Sequence, residues 1–182
     1  MKISKNTITK EEYLIPDNLD DSYNINEFLA SHDGKKVIAI QGLGFVGAVM
    51  SIVCANSDTD YAVIGVDLPN EENYWKIRSI NEGIFPIIAD DPKIDEYYKN
   101  SKNKNNFYAT YDTIAYSHAD IVIVDINLDV KKRSSIKREL NDFDVCLSGF
   151  KKAIKSIGKN CKQDALILVE TTVPPGTCAN IV

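Results

Sequence analysis

Short apolar runs alternate with longer amphipathic segments from residue 36 to the end of the chain. Four of these runs are almost continuously apolar and rich in β-branched residues, which is typical of strands buried on both faces of a parallel sheet, and a fifth run over 106–110 is interpreted as a short strand. We therefore predict strands over 36–41, 61–67, 106–110, 119–125 and 165–170.

The segments between these strands predict helices over 44–57, 92–100, 112–117 and 142–161, whereas 67–91 is predicted to be irregular. Strands that alternate with helices predict an α/β fold with a Rossmann-type doubly wound parallel sheet. The helix over 142–161 is the most amphipathic. Its apolar side consists of Phe143, Cys146, Leu147, Phe150, Ala153, Ile154 and Ile157.

The polar residues 1–35 are predicted to be an N-terminal extension with a short helix over 24–31, and 36–182 to be the Rossmann domain. A dinucleotide-binding sheet typically has about six strands, and the chain ends inside an apparent helix after the fifth. The expectation is therefore a domain truncated before its end, the front part of a longer enzyme.

Three glycines in the spacing G-x-G-x-x-G follow the first strand, at Gly42, Gly44 and Gly47. Alone, this spacing indicates a tight strand-to-helix turn as readily as a phosphate-binding loop. Here a strand precedes it, a helix begins within it, and Asp67 ends the next strand, which together favour dinucleotide binding.

Each residue of this motif then has a physical role. Gly42 permits the turn, Gly44 lets a pyrophosphate approach the backbone, and Gly47 lets the helix pack closely on the strand. The N–H groups at the helix N-terminus attract the anion. Asp67 would bind the adenosine ribose hydroxyls and repel a 2′-phosphate, so that NAD is favoured over NADP. The alternative for Asp67 is a simple turn residue at a strand end.

The net charge of −5 and a pI of about 5.1 argue against wholesale nucleic-acid binding. The basic run over 131–138 permits a nucleic-acid or membrane interpretation, but a solvated loop and helix start is favoured because no aromatic residues interleave with it. No apolar run has the length of a membrane helix, and the N-terminal residues lack the apolar core of a signal peptide, so a cytoplasmic location is expected.

Four cysteines without C-x-x-C pairing and only two histidines indicate neither a disulfide framework nor a metal centre. Cys54 and Cys146 lie among apolar residues of predicted helices and are expected to be small buried hydrophobes. Neither Cys161 nor Cys178 lies near a histidine or in a glycine-rich turn, so no cysteine is a strong candidate nucleophile.

Three further motifs accompany the glycine loop and the strand that ends in Asp67: I-N-E-G-I-F-P over 80–86, H-A-D-I-V-I-V over 118–124, and E-T-T-V-P-P-G-T over 170–177. In this order they resemble the N-terminal NAD-binding domain of the UDP-glucose/GDP-mannose dehydrogenase family, over roughly 36–182. The stretch T-V-P-P-G-T is the most specific part of the resemblance.

The resemblance implies oxidation of C6 of a nucleotide sugar from alcohol to carboxylate with two NAD, in bacterial polysaccharide precursor synthesis. It places the catalytic cysteine, its helper lysine and asparagine, the substrate pocket and most of a homodimer interface beyond this domain. The isolated chain is therefore expected to be inactive. The cofactor-binding residues that it implies are Gly42, Leu43, Gly44, Phe45, Val46, Gly47, Asp67, Asn127, Thr171 and Thr172.

Thr172 also matches a threonine that orients a catalytic water, whereas a local hydroxyl turn before Pro174 is the structural alternative for the threonine pair. Two positions depart from the family pattern, since Leu128 and Asp129 stand where threonine and proline are usual. A basic residue near the adenosine is expected at Lys76 or Arg78. Alternative functions are a Rossmann domain for another ligand, such as S-adenosylmethionine, and a non-catalytic binding module.

Overall fold

The computed structural model describes residues 2–128, 130–134 and 140–182. The elements of these ranges are, in chain order, β1 (Ile3–Lys5), β2 (Glu12–Leu14), α1 (Ser22–Ala30), β3 (Val37–Gln41), α2 (Phe45–Ala55), β4 (Ala62–Val66), α3 (Tyr74–Glu82), α4 (Pro92–Lys104), β5 (Phe107–Thr110), a 3-10 helix (Thr113–His118), β6 (Ile121–Val124), β7 (Val130–Ser134), β8 (Leu140–Val145), α5 (Ser148–Asn160), β9 (Leu166–Val169) and α6 (Thr177–Ile181).

Five parallel strands form the central sheet in the order β5-β4-β3-β6-β9, which confirms the predicted Rossmann-type fold. From β3 the chain first adds β4 and β5 on one side, and then crosses to add β6 and β9 on the other. The strand order therefore reverses between β3 and β6. In sheets of this kind, ligands bind in the crevice at the carboxyl ends of the strands beside such a reversal.

Alternate residues of the central strand pack into two different cores. Val37 and Ala39 face a cluster that includes residues of α1, the 3-10 helix and α5. Ile38 and Ile40 face the other cluster, which includes residues of α2, α3 and α4. The sheet is therefore covered by helices on both faces, as its nearly continuous apolar strands require.

The N-terminal residues pack onto the sheet rather than extending away from it. The antiparallel hairpin of β1 and β2 contacts α3, and α1 contacts β5 and the 3-10 helix. Ile25 and Phe28 of α1 are buried in the core. The division at residue 35 remains a prediction, but the segment before it contributes apolar side chains to the core.

The structure corrects the prediction for 67–91, because residues 74–82 form helix α3. Tyr74, Ile77 and Ile80 recur at the spacing of one helical face and are all buried. The helix has only nine residues and an irregular stretch follows it. Its helical spacing of apolar residues is therefore weak when the interval 67–91 is considered as a whole.

The predicted helix over 142–161 is wrong in its first part. Residues 140–145 form β8, which pairs antiparallel with β7, and the helix begins only at Ser148. Helix propensity is poor in this stretch, which contains an asparagine and two aspartates. Cys146 is exposed between the strand and the helix, so its predicted burial is also wrong. Of the basic run, 131–134 lies in β7, whereas 135–138 and Asp129 lie outside the described residues.

Candidate functional site

The glycine loop leaves the carboxyl end of β3 and is pinned between its two neighbouring strands. The N–H of Gly42 donates to the carbonyl oxygen of Val66 over 2.8 Å. Gly42 has φ +98°, and a Cβ atom there would overlap the backbone carbonyl of Asp125. Both the left-handed backbone and the close approach of the next strand therefore exclude any other residue at Gly42.

Gly44 is the residue before the first helical residue of α2 and lies in open space. A Cβ atom there would meet no heavy atom within 4 Å, and its φ of −70° is ordinary. No side chain caps the helix at this position. The first-turn N–H groups of α2 have no partner within the helix, so the loop presents hydrogen-bond donors and the positive end of the helix dipole.

Gly47 lies in the first turn of α2, where a Cβ atom would overlap the backbone carbonyl of Gly42. The helix thus packs against the loop from which it emerges. The predicted contact was between the helix and the strand. The close neighbour is instead the carbonyl at the start of the loop, with a carboxylate oxygen of Asp125 3.4 Å from the same Cβ position.

The three other residues of the loop point in different directions. Leu43 is fully buried and packs over Gly65, where a Cβ atom would lie 2.6 Å from a Leu43 methyl group. Phe45 and Val46 are 62% and 53% exposed. The first turn of α2 therefore has both exposed and buried residues, since Gly47 and Ala48 of the same turn are buried.

Asp67 follows β4 and is joined to the glycine loop by a hydrogen bond. Its carboxylate accepts the N–H of Leu43 over 3.0 Å and the N–H of Leu68 over 2.7 Å. The bond with Leu68 is the local interaction expected if Asp67 is a simple turn residue at the end of a strand. The bond with Leu43 shows a further role that the sequence did not predict, since the Asp67 carboxylate connects the ends of β3 and β4.

Lys76 rather than Arg78 is the basic residue next to Asp67. The Lys76 ammonium lies 3.7 Å from a carboxylate oxygen of Asp67. Arg78 pairs with Glu82 over 2.6 Å and lies over the ring of Tyr13. Burial raises the pKa of Asp67 above its ordinary value, although Lys76 and the two backbone N–H groups oppose that rise.

Two loops at the carboxyl ends of β6 and β9 are tied together by Thr171. Its buried hydroxyl accepts the N–H of Ile126 over 2.8 Å and donates to the carbonyl of Val124 over 3.2 Å. Thr171 thus fixes the backbone of the neighbouring loop, whereas Thr172 is exposed. In that loop Asn127 is exposed, and Leu128 packs against the apolar core.

The I-N-E-G-I-F-P motif over 80–86 has structural functions. Asn81 brackets Ala109 of β5, donating to its carbonyl over 2.8 Å and accepting its N–H over 2.9 Å. Gly83, with φ +94°, ends α3 in the left-handed conformation that favours glycine. The motif therefore locks α3 onto the sheet beside Asp67.

Sequence reasoning missed the carboxylate of Asp125, which follows β6 as Asp67 follows β4. Among the described residues, its buried Oδ2 atom has no hydrogen-bond partner. Burial and the nearby Glu170 raise the pKa of Asp125. The available signal was an acidic residue at the end of a buried strand, the same signal that identified Asp67.

Replacing Asp125 with Asn should raise the melting temperature near neutral pH. A group whose pKa is raised by folding stabilises the folded state only while it is protonated, so the stability of the native chain is lost as the pH rises through that pKa. A buried acceptor without a partner costs about 1–3 kcal/mol, and each kcal/mol moves the melting temperature by about 2–4 °C in a domain of this size. Thermal denaturation at several pH values should show the advantage of the variant disappearing in acid. A lower melting temperature for the variant at every pH would contradict the prediction.

No helix of the described residues has the length and apolar character needed to cross a membrane. In the same residues no three His, Cys, Asp or Glu side chains come together as a metal-binding group. Cys54 is half-buried in α2, where burial raises its pKa.

Comparison with known proteins agrees with this geometry. Residues 36–182 match the model of the UDP-glucose/GDP-mannose dehydrogenase family, NAD binding domain. The chain is 29% identical over 140 residues to the UDP-N-acetyl-D-mannosamine dehydrogenase of Pyrococcus horikoshii, an alignment that covers 77% of this chain and 29% of that protein.

Solved structures of similar fold include the NDP-N-acetyl-D-galactosaminuronic acid dehydrogenase of Methanosarcina mazei Go1, with a TM-score of 0.67, 23% identity and coverage of 86% of this chain and 32% of that one. A ternary complex of the GDP-mannose dehydrogenase of Pseudomonas aeruginosa matches with a TM-score of 0.61 and 26% identity, covering 80% of this chain and 30% of that one. The chain thus spans less than one third of the length of these relatives.

Proposed function

The chain belongs to the UDP-glucose/GDP-mannose dehydrogenase family, whose NAD-binding domain it carries, and from this membership we propose that it binds NAD across the carboxyl ends of β3, β4 and β6. One observation carries the proposal. The glycine loop and the acid at the end of the next strand are joined directly, through the hydrogen bond from the Leu43 N–H to Asp67.

The residues present fit the parts of NAD in order along this edge of the sheet. The open space at Gly44, in front of the N-terminus of α2, suits the pyrophosphate. The Asp67 carboxylate retains lone pairs for the adenosine ribose hydroxyls, since each of its oxygens accepts one backbone N–H and can accept more. Lys76 is proposed as the basic residue at the adenosine end.

The nicotinamide end is proposed to lie beside the loops after β6 and β9. Asn127 and Thr172 are exposed there, and Thr171 holds the two loops together. When bound, NAD supplies a hydride acceptor. The proposed role of Thr172 is to orient a water molecule through its exposed hydroxyl, whereas Thr171 acts mainly on the position of the loops.

Calorimetric titration of the chain with NAD and with NADP tests the cofactor proposal. We expect NAD to bind more tightly, because a 2′-phosphate would be placed beside the carboxylate of Asp67. S-adenosylmethionine in a third titration tests the alternative ligand class. Equal affinity for NAD and NADP would remove the proposed role of Asp67, and binding of S-adenosylmethionine alone would overturn the cofactor assignment.

For the whole protein we propose oxidation of a nucleotide-sugar alcohol to a carboxylate with two NAD, in the cytoplasm, by a homodimer that serves polysaccharide synthesis. Relatives that act on UDP-N-acetyl-D-mannosamine, UDP-glucose and GDP-mannose support a nucleotide sugar as substrate. The proposal includes all three of these nucleotide-sugar types as substrates.

The 182-residue chain by itself should produce no NADH from NAD and any of these three nucleotide sugars. Its four cysteines do not match the nucleophile motif of the family. Cys54 lies in the last turn of α2 and Cys161 directly follows α5, and both helices end away from the crevice. Absorbance at the NADH band measures turnover directly. Turnover that disappears in a Cys146→Ser or Cys178→Ser variant would show that the chain carries its own nucleophile.

A further inference from the structure

The hairpin of β1 and β2 lies outside the residues that match the family model, yet it inserts two fully buried polar side chains against α3. Ser4 and Asn6 both have no exposed surface. Buried polar groups persist where they are hydrogen-bonded, and here their partners lie about 70 residues further along the chain. The hairpin is therefore attached to the helix by specific polar contacts.

Ser4 caps the first turn of α3 from outside the helix. Its hydroxyl accepts the N–H of Trp75 over 2.9 Å and donates to the carbonyl of Glu71 over 2.8 Å. The residue at the usual capping position, Asn73, makes no capping hydrogen bond with its side chain. Ser4 thus satisfies a first-turn donor that the helix itself leaves without a partner.

Asn6 holds the second turn of the same helix. Its side-chain amide donates to the hydroxyl of Ser79 over 2.8 Å. Its carbonyl oxygen accepts the N–H groups of Ile8 and Thr9, which fixes Asn6 within the hairpin turn. A third contact, from the Tyr13 hydroxyl to Glu82 over 3.0 Å, reaches the last turn of α3. Contacts along the whole helix set both its rotation and its position along its axis.

The helix that is held in this way carries Lys76. The Lys76 ammonium donates to the side chain of Asn73 over 2.7 Å and lies 3.7 Å from Asp67. The segment 68–73 between β4 and α3 is irregular, so the short connection to the sheet does not by itself fix the direction of Lys76. The contacts of Asn81 with β5 hold the last turn of α3. The hairpin contacts on Trp75 and Ser79, on either side of Lys76, add a constraint on the first two turns.

We propose that the N-terminal hairpin is a positioning element for the cofactor site, which holds α3 so that Lys76 faces Asp67 and thereby sets the affinity for the adenosine diphosphate ribose part of NAD. The inference rests on the proposed function, because it requires that this part of NAD binds at Asp67. Ser4 and Asn6 act as positioning residues through Lys76 and do not touch the ligand.

A double-mutant cycle between Asn6→Ala and Lys76→Met tests the proposal, with the dissociation constant of ADP-ribose measured by calorimetry on the 182-residue chain. A neutral hydrogen bond is worth about 0.5–1.5 kcal/mol, so Asn6→Ala should weaken ADP-ribose binding about two- to tenfold. In the Lys76→Met background the same change should have no further effect on binding. A purely structural role for the hairpin would give the same loss in both backgrounds.

Lys5→Ala is the matched control, since Lys5 ends β1 directly before Asn6 and, in the part of the chain that the structure describes, its ammonium pairs with the exposed Glu12 across the hairpin. It should leave ADP-ribose binding unchanged. If Asn6→Ala fails to fold, Ser79→Ala removes the same hydrogen bond from the helix side and enters the same cycle. Equal losses in both backgrounds, or no loss at all, would overturn the positioning role while leaving NAD binding established. Failure of the unmodified chain to bind NAD and ADP-ribose would overturn both this inference and the proposed function.

Discussion

Replacing Gly44 with Ala should remove measurable NAD binding and leave the free energy of unfolding nearly unchanged. The added methyl group meets no protein atom within 4 Å, and the backbone at Gly44 has an ordinary φ of −70°. The same methyl group would occupy the space through which the pyrophosphate approaches the backbone. Calorimetry for NAD and thermal denaturation of the same sample separate the two effects.

Gly47→Ala is the matched variant, because it adds the same methyl group three residues further along the loop. There the methyl group overlaps the backbone carbonyl of Gly42, which cannot turn aside as a side chain would. Forcing atoms into a closely packed site costs about 1–3 kcal/mol, so this variant should lose stability as well as NAD binding. Equal stability losses in both variants would contradict the open space found at Gly44. Normal NAD binding by Gly44→Ala would show that the pyrophosphate does not lie at this loop.

Replacing Asp67 with Ala should reverse the preference for NAD over NADP. The variant loses the acceptor for the ribose hydroxyls, and hydrogen bonds to charged groups are worth about 1.5–3 kcal/mol, so NAD binding should weaken about 10- to 100-fold. Lys76, 3.7 Å from Asp67 in the native chain, remains and would attract a 2′-phosphate. Calorimetry with both cofactors gives the ratio of dissociation constants.

Asp67→Asn is the control for the structural role of the carboxylate, since an amide oxygen can still accept the N–H of Leu43 while the negative charge is gone. It should lose the discrimination against NADP with less loss of stability than Asp67→Ala. A strong preference for NAD in both variants would mean that another group repels the 2′-phosphate.

The pH dependence of the discrimination follows from the same carboxylate. Burial raises the pKa of Asp67, so protonation begins at a higher pH than for an ordinary aspartate, whose pKa is about 3.9. Protonation removes the charge that repels the 2′-phosphate. The ratio of the NADP and NAD dissociation constants should therefore decrease as the pH falls towards the raised pKa of Asp67. Titrations with NAD and NADP at matched ionic strength measure this ratio.

The sequence by itself determined the central sheet, the glycine loop and the family. The five parallel strands are short, apolar and nearly continuous, and a strand covered on both faces has to be so. The glycine loop was visible because its requirements are local to the backbone. Gly42 adopts a left-handed φ of +98°, and Gly47 lies against the backbone carbonyl of Gly42, only five residues earlier. Both positions therefore require glycine, and the glycines are visible in the sequence.

Only the tertiary structure decided which side chains reach the site and what holds them there. Whether Lys76 or Arg78 faces Asp67 depends on the rotation of α3, which the contacts of Ser4 and Asn6 from the N-terminal hairpin constrain. The strand pairing of 140–145 likewise depends on a neighbouring segment, as does the Asp125 Oδ2 atom, which has no hydrogen-bond partner among the described residues. The physical reason is that hydrogen bonding and burial between different segments of the chain outweigh weak local conformational preferences. The periodic pattern of apolar residues shows which side of an element is buried, but it does not specify which segment packs against that side.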